Sequence, residues 1–133
     1  MKAAIAWSVA LALLAAATAA ADPIKDGIKV RIESTQAHSD MAPGTYVCAA
    51  GHLHVKGIVE NLGGVPVGRV EVAGKAFDAD GKLLGTATTS TKQAVLNPSD
   101  KAVVDLEFLK ITGPLVDQVK NEQLEVVAVG PKP

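Results

Sequence analysis

This chain offers almost nothing on which a flat ligand could stack. Its aromatic content is one Tyr, two Phe and one Trp, and Trp7 falls inside the leader described below. Carbohydrate sites and single-stranded nucleic-acid grooves lean on aromatic platforms, so neither partner is expected. Charge of one sign is also missing, because 13 basic residues face 14 acidic ones for a formal balance of −1. A nucleic-acid binder carries a basic face, and this composition does not supply one. Cysteine is reduced to Cys48. A lone cysteine closes no internal disulfide, so the fold must hold by packing alone. Long apolar runs are absent too: the stretch Ile5 to Ala17 falls short of the roughly 20 residues that span a bilayer.

That same stretch has a different use. Lys2 gives a positive start, the apolar run follows, and Thr18-Ala19-Ala20-Ala21 ends it in small residues. This order is that of a secretory signal peptide, with cleavage before Asp22 or one residue earlier. Residues 1–21 are therefore expected to leave, and residues 22–133 to form one domain in the periplasm or outside the cell. Loss of Lys2 leaves 12 basic residues against 14 acidic ones, a mature balance of −2.

The mature chain reads as strand after strand. In Ile28 to Ser34 apolar and polar residues alternate, placing Ile28, Val30 and Ile32 on one face. Residues 37–51 show no period and contain Pro43-Gly44, which predicts a long loop. In HLHVKGIVEN, residues 52–61, Leu53, Val55, Gly57 and Val59 face a core while His52, His54, Lys56, Ile58 and Glu60 face away. A turn at Asn61-Leu62-Gly63-Gly64 precedes another alternating run, with Val70, Val72, Gly74 and Ala76 inward, which stops at an Asp-Gly hairpin signal in Asp78 to Gly81. The Thr-rich segment Lys82 to Leu96 suits an edge strand. Ala102, Val104, Leu106 and Phe108 alternate with Lys101, Val103, Asp105 and Glu107; one short helical turn is expected in residues 115–120, and Leu124 to Val129 closes the chain. The expected fold class is all-β, an Ig-like antiparallel two-sheet β-sandwich of about seven strands.

The turns carry a resemblance. Gly57-Ile58-Val59-Glu60-Asn61, the hairpin Asp78-Ala79-Asp80-Gly81-Lys82 and the turn Asn97-Pro98-Ser99-Asp100 are similar to the pattern of the FxLYD domain family, small Ig-like sandwiches of exported and membrane-attached proteins. At the position of the family's naming motif stand Gly74-Lys75-Ala76-Phe77-Asp78, with Gly, Ala and Phe in place of Phe, Leu and Tyr. The resemblance implies an accessory or interaction module and brings no catalytic residues with it.

Chemistry-bearing residues cluster in one region. His52 and His54 leave the same face of a strand, about 6.5–7 Å apart at the backbone, a spacing that closes on one ion. Cys48 precedes them across Ala49-Ala50-Gly51, read as a flexible link, and the nearby loop adds His38 or Met41. Thiolate, imidazole and thioether together suit copper; without Met41 they suit zinc. Against a metal, Lys56 shares that face, and strand histidines are ordinarily solvated, so the expectation is weak or absent binding. Asp105 and Glu107 share an outward face and are read as a pair that solubilises the sheet. Asp78-Ala79-Asp80-Gly81 begins like a calcium loop, but Lys82 and Thr89 stand at its fifth and twelfth positions. No G-x-S-x-G and no phosphate-cradling glycine loop occurs.

These readings predict an exported, non-catalytic binding or assembly module of the cell envelope, with no catalytic residue and no cofactor. Its partner would be a protein, taken at an exposed edge strand. The alternative is a periplasmic copper or zinc binder using Cys48, His52 and His54.

Overall fold

The computed structural model describes residues 23–36 and 40–131; the leader and His38 lie outside the described residues. In chain order the elements are α1 (Pro23–Asp26), β1 (Ile28–Ile32), β2 (Thr45–Val47), β3 (His52–Asn61), β4 (Val70–Phe77), β5 (Leu83–Ser90), β6 (Lys101–Thr112), α2 (Pro114–Gln118) and β7 (Asn121–Val129). The strands form two antiparallel sheets, as the alternation predicts. In the first, β3 is central. The β6 strand pairs along one edge of it, from Glu60 back to Leu53. The other edge is shared, with β1 against Gly57 to Asn61 and β2 against Leu53 to Val55. The second sheet has the order β5-β4-β7. Among the described residues no helix is long and apolar enough to cross a membrane.

Side chains of alternate parity fill the space between the sheets. Leu53, Val55 and Val59 from β3, Val70, Val72 and Ala76 from β4, and Ala102, Val104, Leu106 and Phe108 from β6 are all buried. Removing this apolar surface from water supplies the main drive to fold. Two of the buried polar side chains, Asn61 and Thr91, are answered within the core. Asn61, the last residue of the Gly57 to Asn61 stretch, donates from Nδ2 to the carbonyls of Val65 and Leu96 and accepts from the Gly63 N–H. Buried Thr91 accepts the Val70 N–H, so neither costs an unmade hydrogen bond. The Asp78 carboxylate accepts the N–H groups of Asp80 and Lys82 and shapes the predicted hairpin.

Two expectations for residues 37–51 need correction. The segment is not all loop: Thr45, Tyr46 and Val47 pair with Val55, His54 and Leu53. Ala49-Ala50-Gly51 is also not a flexible link. The Cys48 N–H donates to the His52 carbonyl and the Gly51 N–H to that of Cys48, closing a tight reverse turn with Gly51 at a φ of 88°. That turn places Cys48 beside His52.

Candidate functional site

The period-two rule gathers the site on the outward face of the first sheet. Tyr46 of β2 lies directly opposite His54 of β3, which in turn lies opposite Glu107 of β6. Two residues along, on the same face, Lys56 lies opposite Asp105. With Cys48 at the end of the β2–β3 turn, a thiol, two imidazoles, two carboxylates and a phenol occupy one small patch of pleated surface.

His54 is its centre. Its side chain is only 13% exposed, so the expectation of mostly solvated histidines is wrong here, because β2 and β6 flank the ring on both sides. Its Nδ1 lies 2.7 Å from Asp105 Oδ1. A carboxylate only accepts, so Nδ1 carries a proton and donates it. Tyr46 stacks on the ring with centroids 4.6 Å apart, and its hydroxyl donates to the other oxygen of Asp105. His54 Nε2 is buried and makes no hydrogen bond of full geometry, though the Cys48 sulfur acts on the ring. Nε2 lies 3.6 Å from Glu107 Oε2. A ring nitrogen of His54, the Cys48 sulfur and a Glu107 oxygen all fall within 4.8 Å of one another.

The electrostatics follow from this crowding. Burial pulls the His54 pKa down, but the Asp105 carboxylate and the Cys48 sulfur outweigh it and hold the ring above its ordinary value. Burial pushes the Cys48 thiol up, while backbone groups of His52 and Ala50 and the His54 ring favour the thiolate and leave it below its usual value. Tyr46 is pushed up to about 12, first by burial and then by its bond to Asp105. The predicted obstacle, Lys56, is turned to another use: its ammonium sits over the Tyr46 ring, 5.4 Å from the centroid.

No protein-family model matches the chain, and no curated protein matches it. Among solved structures it is similar to a DUF1425 family member from Shewanella sp. pv-4, at 16% identity and a TM-score of 0.45, over 76% of this chain and 77% of that one.

The residues singled out from sequence separate into three groups. Cys48 and His54 come together. His52 does not complete the trio, since its Nδ1 turns to Glu107 Oε2 at 2.8 Å. Met41 lies apart: it packs against the core and lines a cavity of about 340 Å³ with Val47, Leu53 and Val119. That is the opposite side of β3, since Leu53 points inward and His54 outward. Asp105 and Glu107, read as solubilising charges, are instead the partners of the two histidines.

Tyr46 gives this geometry a direct test, because it is the chain's single tyrosine and no Trp remains in the expected mature chain. Absorbance titration of the folded protein should show its phenol ionising near 12, against an ordinary 10.0. Since the folded value lies above the unfolded one, the stability linked to this proton is complete below pH 10 and is lost as pH rises toward 12. Asp105→Asn should move the transition down toward the ordinary value. A wild-type transition already at the ordinary value would mean that the ring does not dock on Asp105.

Proposed function

We propose that this chain is an exported, non-catalytic binding module of the cell envelope, working as residues 22–133 in the periplasm or outside the cell after loss of a 21-residue leader. Its partner is a protein that adds an extended segment at the sandwich edge. One observation carries the reading. On the side where β5 and β6 meet, both sheets end in strands with an unpaired edge among the described residues. Between them runs a groove of about 530 Å³, lined by Leu83 to Thr88 and Glu107 to Lys110. Leu83 and Leu109, 47% and 64% exposed, stand at its rim. Unpaired backbone groups on an edge are satisfied by an added strand, and neighbouring apolar side chains supply affinity. The FxLYD-like turns support the same reading, since that resemblance implies an accessory or interaction module.

A photo-crosslinking residue placed at Leu109 in living cells tests the proposal against the same residue at Val127, an outward position on β7. A discrete adduct is expected from Leu109 and not from Val127, on a protein whose intact mass begins at Asp22 or one residue earlier. Equal adducts from both positions, or none from Leu109, would remove the edge as the binding surface. Recovery of the full-length chain in the membrane would remove the export reading.

A further inference from the structure

We propose that Cys48, His54 and Glu107 hold a Zn²⁺ ion through sulfur, nitrogen and oxygen, leaving a fourth position open on the outer face of the β2–β3–β6 sheet. The donor atoms lie within 4.8 Å of one another. Tetrahedral zinc with bonds of about 2.0–2.3 Å needs its donors about 3.3–3.8 Å apart, so the closure required is small. It falls on the more exposed members, because Glu107 is 42% exposed and Cys48 is half-exposed at the end of a turn.

Three further features point the same way. His54 Nε2 is buried and makes no hydrogen bond of full geometry, while the Cys48 sulfur and a Glu107 oxygen, the other two donors, are the polar atoms gathered around the ring. Its other nitrogen donates to Asp105 at 2.7 Å, the arrangement that orients a metal-bound imidazole and raises its basicity. His52 holds the Glu107 carboxylate at 2.8 Å and so positions a donor without being one. The donor set also chooses the metal. A carboxylate is too hard for copper(I), whose preferred thioether, Met41, lies on the other side of β3. A thiolate is too soft for calcium or magnesium. Thiolate and carboxylate together carry two negative charges, which balance a divalent ion.

The experiment is a competition titration of the chelator-stripped exported protein with Zn²⁺ alone, followed by Co²⁺ substitution to look for the thiolate-to-metal absorption band. One ion per chain and a raised melting temperature are expected. Cys48→Ala and His54→Ala should each abolish binding. Glu107→Gln, at an exposed position, should weaken it at least tenfold while the metal-free protein stays folded. Asp105→Asn should weaken it about 10–100-fold. Met41→Leu should bind as wild type does. Three outcomes overturn the proposal: no one-to-one complex, a complex that survives both Cys48→Ala and His54→Ala, or a loss in His52→Ala equal to that in His54→Ala. A protein that still crosslinks at Leu109 but takes no zinc removes this site and leaves the edge-binding reading standing.

Discussion

Leu106→Asp should remove several kcal/mol of the domain's stability, a large part of what a small domain has. Leu106 is fully buried, opposite Val55 at the middle of the β3–β6 ladder. An aspartate there puts a carboxylate among apolar side chains with no partner, which costs more than about 4 kcal/mol. Small domains have only about 5–15 kcal/mol in hand, and this one has no disulfide to limit the unfolded state. The same charge three residues earlier is the control. Val103 is 59% exposed on the outward face, so Val103→Asp should cost about 1 kcal/mol or less. Urea unfolding of the two variants measures the contrast. Similar losses in both would mean that β6 is paired in a register one residue away, since a one-residue slip exchanges the two faces.

That contrast works because the residue order alone makes the register of β6 legible. Ala102, Val104, Leu106 and Phe108 alternate without a break, and all four are buried. The same holds for Leu53, Val55 and Val59. The period breaks at an irregularity: β6 exposes both Leu109 and Lys110 where the pairing shifts register between His52 and Leu53, and it resumes with buried Ile111 before Thr112 pairs with His52. What periodicity cannot carry is a strand too short to have a period. Thr45-Tyr46-Val47 is three residues long, and although all three favour strands, the triplet is too short to show a period.

The candidate site is half legible for a related reason. Alternation puts His52, His54 and Lys56 on one outward face and Asp105 and Glu107 on another, and both placements hold. That the two faces are one surface depends on β3 pairing with β6 across about fifty residues of chain, and alternation within a strand says nothing about its neighbour. Isolated, two exposed carboxylates read as solubilising charges. Paired, Asp105 fixes the proton on His54 and Glu107 approaches the other nitrogen. The same gap explains Lys56, whose effect on a cation depends on where a flexible ammonium settles, here over Tyr46.

Gly44 ties that surface to the fold, and Gly44→Ala should cost about 2–4 kcal/mol and release β2 from the sheet. Two effects add. Gly44 has a φ of 79°, a conformation that costs an L-residue about 1 kcal/mol or more. A Cβ there would also lie 2.6 Å from the Glu33 carbonyl oxygen and 2.6 Å from Ile32 Cγ2. The first of these is backbone, so no side-chain rotation relieves it and the chain must move. The chain held at this point is the entry to β2: the Gly44 N–H donates to the Thr35 carbonyl, and its own carbonyl accepts from Lys56. Displacing it carries Tyr46 away from His54 and Asp105. The variant should therefore show two changes together, a lower unfolding midpoint in urea and a Tyr46 ionisation that falls toward the ordinary value. Two other glycines separate strain from overlap. Gly51 shares the positive φ, at 88°, but a Cβ there meets nothing within 4 Å, so Gly51→Ala should cost about 1 kcal/mol. Gly64 has neither constraint, and Gly64→Ala should change stability by under about 0.5 kcal/mol. If Gly44→Ala and Gly51→Ala prove equally costly, the close approach of Gly44 to Glu33 contributes nothing, and β2 is held by its pairing with β3 alone.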